Sequence, residues 1–420
     1  MKLKLILLII CALAITGCSQ NTEKIETSSI KVESQYNFNT PTGYATEIEA
    51  YVNFLKTTPP IDPVDYVMNL FEKYDIVVLC ERNHQDITQY ELIYDIVSDE
   101  RFIEKVGCVF TEVGTQTIND RLNTFLQTKG LTQKEVDNRL IDIYRDLDRI
   151  GYWEKYNLYD FLKKIYYLNN TLSKDKKIEV NCSDMPIDWD NITAERYKQQ
   201  ITDKLDFREK IMAEFIINKY KKSEKSGLHS KKALVIMNTR HGFKEHMGVN
   251  DNTTAYLNKS LPSKVANIMI NSIKELPGTT DKISISTPIQ NGKWDAAFRY
   301  IKNINMAFDF ENSPFGKDRF DYFDTQPHKE YKYQDIFNGF IFYYPLEEHL
   351  LVSNVPGVFD SEFLTTFINR LKMRDPNIPD INSISTEQIN KEIEDRNTMK
   401  KEFYPDMMKY NAEIEKWLEY

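Results

Sequence analysis

No stretch of this 420-residue chain is apolar for long enough to cross a bilayer as a helix. The apolar run Leu5 to Ile15 covers about 11 residues, where a span needs roughly 20. Blocks of basic residues are missing too. The clusters Lys174–Lys177 and Lys219–Lys225 are small, and the chain carries a formal net charge of −9, so nucleic acid is not an expected partner. No CxxC spacing occurs. Of the five cysteines, Cys80, Cys108 and Cys182 lie in or beside apolar strand-like runs and read as buried free thiols. A Gly-x-Ser-x-Gly elbow is absent, which argues against a serine nucleophile of that kind. Internal repeats are absent as well.

What is present begins with a targeting segment. Lys2 and Lys4 precede the apolar run, and Ile15-Thr16-Gly17-Cys18 follows it. This pattern resembles the bacterial lipobox. The resemblance implies a signal peptide over residues 1–17, cleavage before Cys18 and lipidation of that cysteine with acyl chains such as palmitate. The chain would then meet a membrane through its lipid anchor. Ser19 supplies no inner-membrane retention signal, so the expected place is the outer membrane, facing the periplasm or the surface. Residues 18–60, rich in Ser, Thr, Asn, Gln and Glu, read as a flexible tether. Within it, Tyr44 to Leu55 is expected to form a short helix packed on the domain that fills 61–420.

Five apolar runs read as buried parallel strands: Ile76–Cys80, Cys108–Thr111, Ile178–Cys182, Ala233–Met237 and Val265–Ile270. Helical spacing marks Ile87–Val97, Thr115–Leu126, Gln133–Ile150, Glu154–Leu168 and Ile192–Lys222. The alternation predicts an α/β fold with a mainly parallel sheet flanked by helices. The block at about 115–170 is too long for a plain crossover and reads as a helical insertion. A C-terminal extension, about 275–420, is mostly helical, with Trp294–Lys302, Phe363–Arg374 and Thr386–Glu419 as helices and Asn305–Phe310 as a final strand. Phe337–Tyr344 stays unassigned.

Ligands of open parallel sheets bind beyond the carboxyl ends of the strands, so the residues that follow each run matter most. The first run leads into Glu81-Arg82-Asn83-His84 and the second into Glu112-Val113-Gly114. The third leads into Ser183-Asp184 and the fourth into Asn238-Thr239-Arg240-His241. Parallel strands would gather these ionisable groups on one edge. Plainer readings exist for each: Glu81 and Glu112 as helix caps, His84 on a surface helix, His241 in a turn, Asp184 as a cap or Asx turn. Arg82 and Arg240 read as counter-ions of the carboxylates, with Asp184 as a further binding residue.

These segments resemble the erythromycin esterase-like superfamily, whose relatives include ChaN-like haem-uptake lipoproteins and TraB-type metalloproteases. The resemblance covers about Ile76 to Ile273. It rests on Glu81-x-x-His84 after the first strand, Glu112 after the second, Asp184 after the third and Asn238-x-x-His241 after the fourth. Cys80 stands where the family usually has glycine, and Gln85 where a small residue is usual. The resemblance implies a hydrolase acting on an ester or related bond of a small molecule. His84 would be general base, Glu81 or Glu112 its partner, and His241 with Arg240 would serve the oxyanion or leaving group. Two other readings use the same residues. A divalent metal could be held by Glu81, His84, Glu112 and His241, or a histidine could ligate haem. A fourth reading is an interaction lipoprotein without activity. Tyr144, Tyr152, Trp153 and Tyr156 are candidate pocket aromatics, with core packing as the commoner reading of such residues.

Overall fold

The computed structural model describes residues 33–226, 232–245, 251–276, 285–322 and 331–420. The signal segment, Cys11, Cys18 and Ser19 lie outside these residues. Among the described residues, no helix is long and apolar enough to cross a membrane.

The strands of the main sheet are β1 (Ile76–Glu81), β2 (Cys108–Thr115), β3 (Glu179–Asp184), β4 (Ala233–Asn238), β5 (Val265–Ile270), β6 (Met306–Asp309) and β7 (Gly339–Phe342). Their order is β3-β2-β4-β1-β5-β7-β6. All neighbours are parallel except β6, which pairs antiparallel with β7 at the edge. This is the expected mainly parallel α/β sheet, with Phe337–Tyr344 resolved as a strand and Asn305–Phe310 as the edge strand.

Burial on both faces explains the unbroken apolar runs. In β1, Val77 and Leu79 face one core and Ile76, Val78 and Cys80 the other, all with 0% exposure. Each such Val, Leu or Ile contributes about 1.5–3 kcal/mol on burial. Cys80 fits because residue 242 is glycine: a Cβ there would lie 2.3 Å from the Cys80 sulfur. Cys80 and Cys182 are buried, Cys108 is half-buried, and all three are free thiols. Burial pushes the Cys182 thiol up to about 12 and that of Cys80 higher still, so neither supplies a thiolate at neutral pH.

The helices that matter for the site are α1 (Glu49–Thr57), α2 (Ile87–Ser98), α3 (Asn119–Gln127), α4 (Gln133–Arg145), α5 (Tyr156–Thr171) and α6 (Arg208–Ser226). Helix α1, inside the stretch read as tether, buries Tyr51, Val52 and Leu55 in the second core. Asp86 caps α2 by accepting from Thr88 and Gln89 backbone N–H groups. Helices α3, α4 and α5 form the insertion between β2 and β3. The expected single helix over Ile192–Lys222 is instead broken. Ala194–Gln200 ends at Ile201, a 3-10 stretch spans Thr202–Phe207, and α6 starts afresh at Arg208. The expected helix Thr386–Glu419 is also divided. Pro405, which lacks an amide donor and disfavours helix before it, follows a short strand. The pieces are the helix Thr386–Asn397, β9 (Lys400–Phe403) paired antiparallel with β8 (Leu350–Ser353), and the helix Met407–Glu415.

Candidate active site

Strands β2 and β4 are neighbours whose connections leave in opposite directions, β2 toward β3 and β4 toward β5. A crevice opens at such a point, beyond the strand ends. The pairing of β2 with β3 slips between Thr111 and Thr115, so Glu112, Val113 and Gly114 form a bulge. Gly114 is required there, with φ of 101° and the Cys182 sulfur 2.4 Å from where a Cβ would sit. The Glu112 Oε2 atom accepts the Asn238 backbone N–H at 2.8 Å.

Around Glu112 the four residues expected at the site come together. The His84 Nδ1 atom is 2.8 Å from Glu81 Oε2, and its Nε2 is 4.0 Å from Glu112 Oε2. His241 Nε2 is 3.0 Å from Glu112 Oε1. Glu81, Glu112 and His241 are buried, whereas the His84 side chain keeps 20% of its surface exposed. His84 is therefore the member that a solute can reach. Trp153 packs edge-on against its imidazole, with ring centres 5.1 Å apart. Trp153 is half-buried, while Tyr144 and Tyr152 belong to the core.

Two further members of the cluster were not legible in the sequence. Arg208 and Glu209, at the start of α6, complete the cluster. The Arg208 guanidinium donates to Glu112 Oε1 at 3.0 Å and to Asp184 Oδ1 at 2.8 Å. Asp184 also accepts from Arg149 at 3.1 Å. It thus anchors arginines and faces the cluster through them. Glu209 Oε1 lies 2.5 Å from His241 Nδ1, and Glu209 Oε2 accepts from the Thr253 amide and hydroxyl. The only sequence signal was an Arg-Glu pair inside a charged helical run, and many surface helices carry one.

Both nitrogens of His241 thus meet carboxylates, as an imidazolium donating twice requires. Burial opposes that charge, but Glu112 and Glu209 outweigh it and lift the pKa to about 9. Burial also works against the Glu112 charge. His241, Arg208 and His84 more than compensate and hold its carboxyl well below the usual range. For His84, burial pulls downward while Glu81 and then Glu112 raise the pKa above its ordinary value. Arg240 is exposed, and its Nε sits 3.2 Å from His241 Nε2. With that nitrogen protonated toward Glu112, Arg240 acts as a nearby, exposed cation.

Arg82 departs from expectation. It is not a counter-ion of Glu81 or Glu112. Its buried guanidinium lies 2.7 Å from Asp86 and reaches Asn271, Tyr343 and His349. Spacing along a sequence does not say which way a side chain turns once its strand has ended.

The cluster does not fit a resident ion. Among the described residues, no group of three or more His, Cys, Asp or Glu could hold one. Glu81 is committed to His84 Nδ1, and both His241 nitrogens to carboxylates. For haem, the imidazole nitrogen of the cluster that is not held by a carboxylate is His84 Nε2, which faces Glu112 across 4.0 Å.

No family model and no curated protein matches the chain. Distantly similar solved structures include a Bacillus cereus protein, at 12% identity and TM-score 0.45, covering 73% of this chain and 97% of that one. An erythromycin esterase, EreC, in an open conformation matches at 11% identity and TM-score 0.42, over 71% of this chain and 96% of its own. ChaN of Campylobacter jejuni, in a structure of cofacial haem binding, matches at 12% identity and TM-score 0.33, over 49% and 85%. Nothing about the reaction follows from likenesses of this size.

Proposed function

We infer that the protein hydrolyses an ester or a related bond of a small molecule by direct attack of water. The observation that carries this reading is the state of His84. Its Nδ1 is backed by Glu81 at 2.8 Å, while the Nε2 of this partly exposed side chain looks across 4.0 Å toward Glu112. A carboxylate behind one ring nitrogen fixes the tautomer and leaves the other nitrogen basic. In the first step Nε2 takes a proton from water as the water oxygen bonds to the carbonyl carbon. The carbonyl π electrons move to oxygen. In the second step the oxyanion collapses, the bond to the leaving oxygen breaks, and the His84 imidazolium returns its proton to that oxygen.

His241 takes a different part. Both its N–H groups are directed at carboxylates, so it supplies fixed positive charge instead of a proton. The exposed Arg240 guanidinium is the donor available to the developing oxyanion. The substrate is a small molecule whose carbonyl reaches His84 beside Trp153.

The test is a panel of small esters and lactones, followed by acid release, with wild type and His84→Ala. Turnover that depends on His84 supports the reading. Turnover by the variant at the wild-type rate removes it.

The same proposal places the domain at the cell envelope, tethered through acylated Cys18 and facing the periplasm or surface. Its support is the pattern Ile15-Thr16-Gly17-Cys18 after a short apolar run. Incorporation of labelled palmitate that disappears in Cys18→Ser tests it. Equal labelling of both chains contradicts it.

A further inference from the structure

Next to the candidate site lies a second polar network, with a buried centre, that the hydrolytic scheme does not use. Arg82 is 1% exposed, and Asp86 and His349 are 0% exposed. Such groups are costly to bury, so their arrangement calls for a reason. The Arg82 guanidinium spreads in three directions. Its Nε is 2.7 Å from Asp86 Oδ2, and its Nη2 donates to Thr88 Oγ1 at 2.9 Å. Its Nη1 faces His349 Nε2 at 2.6 Å, the Tyr343 carbonyl at 3.0 Å and Asn271 Oδ1 at 3.1 Å. Burial and the adjacent Arg82 both push the His349 pKa well below its ordinary value, so this imidazole is neutral and offers Nε2 as an acceptor.

The network joins the loop that carries His84 to the C-terminal region. The backbone does the same. Asp86 bridges antiparallel to Leu351, and Val352 N–H donates to the Gln85 carbonyl at 2.8 Å. One residue further along the strand, Ser353 bridges to Lys155, and Asn354 N–H donates to the Glu154 carbonyl at 2.7 Å. Strand β8 therefore stitches together the two segments whose side chains meet in the site: Arg82–Asp86, bearing His84, and Glu154–Lys155, adjoining Trp153. The first loop is also held from within and from the sheet. Asn83 accepts from Gln85 and Asp86 amides, Gln89 binds the Arg82 amide and the Asn83 carbonyl, and Asn238 and Asn157 donate to the Arg82 and Asp86 carbonyls.

We propose that Arg82, through Asp86, His349 and strand β8, is a positioning residue of the site, holding His84 in register with Glu81 and against Trp153. This rests on the reading of His84 as the base. Arg82 touches no substrate. It acts by fixing the loop that carries His84. The C-terminal region, for which the sequence offered no role, becomes the brace of the site.

The experiment uses the full chain with labelled histidines and follows the His84 imidazole by NMR, assigned through His84→Gln. The titratable neighbours of His84 are Glu81, Glu112 and His241. Arg82→Lys keeps a cation beside Asp86 but loses the planar fork. In that variant the His84 midpoint falls by about half a unit or more as its contact with Glu81 loosens, while His241 holds its midpoint. Hydrolysis loses about tenfold in kcat with KM within twofold, as for a misplaced group. If Arg82→Lys does not fold, Arg82→Met with Asp86→Asn removes both charges, keeps a cap on α2 and is read in the same way. The His84 midpoint decides. Movement supports the proposal. An unmoved midpoint in a folded variant, or failure of both variants to fold, makes the network a stability element and overturns it. A wild type inert toward every ester sinks the hydrolytic reading alone, because the His84 titration is read without substrate.

Discussion

Two histidine environments lie on either side of one short loop, and they are built on opposite principles. Around His241, the carboxylates of Glu112 and Glu209, at 3.0 and 2.5 Å, lie closer than the Arg240 and Arg208 guanidinium groups, at 3.2 and 3.4 Å, so the imidazole is held charged. Around His349, the nearest group is the Arg82 guanidinium, so the imidazole is held neutral. Both rings are buried, so burial alone does not decide the state of either. The sign of the nearest partner does. His84 lies between the two regimes: backed by a carboxylate like His241, yet partly exposed. Of the three, it alone combines a basic nitrogen with access.

The largest expected effect separates His84 from the other two. His84→Ala should lower hydrolysis by about 10²- to 10⁴-fold, the range for loss of a general base, with little change in thermal unfolding. A fall in activity matched by a comparable loss of folded protein would show that His84 is structural, like His349.

The next effect is on stability. Glu112→Gln leaves His241 and Arg208 without their shared anion and should cost about 3–5 kcal/mol in denaturant unfolding. An effect under about 1 kcal/mol, as for an exposed pair, would mean the cluster is far wetter than its burial indicates.

How much of this was readable from sequence follows the same contrast. Strands β1 to β5 were legible because parallel strands buried on both faces read as continuous apolar runs. Glu81, His84, Glu112 and His241 were legible because charge right after such a run has few reasons to be there. Arg208 and Glu209 were not. The break at Ile201–Phe207 carries neither Gly nor Pro, so Ile192–Lys222 reads as one helix. Arg82 was visible but misdirected, because its partners Asn271 and His349 are distant in sequence. Strand β6 was read within Asn305–Phe310, whereas β7, four residues long, is too brief for periodicity to speak.

The pH dependence of stability should carry opposite signs for the two regions. His241 has a raised pKa, so the stability it adds is fully present below about 6.5 and is lost as pH climbs through about 9. His349 has a lowered pKa, so its contribution is present above about 6.5 and fades as pH falls below it. Glu209→Gln should flatten the alkaline loss and leave the acid one, measured by urea unfolding at a series of pH values. A variant that flattens neither shows that Glu209 does not hold the His241 charge.

The smallest expected effect concerns the edge contact with the accessible ring. Trp153→Leu should weaken kcat/KM by about 1 kcal/mol, the worth of one aromatic pair, and leave the His241 titration in place. A shift in His241 instead would mean the two histidines are not separable.

The most direct test of this division of labour is the pH profile of kcat/KM for any ester the protein turns over. The account predicts a bell. Its acid limb lies above 6.5, where the raised His84 must lose its proton to act as base, and its alkaline limb lies near 9, where His241 gives up its charge. A rate that is already maximal at pH 5, or that keeps rising well past pH 9, would contradict it.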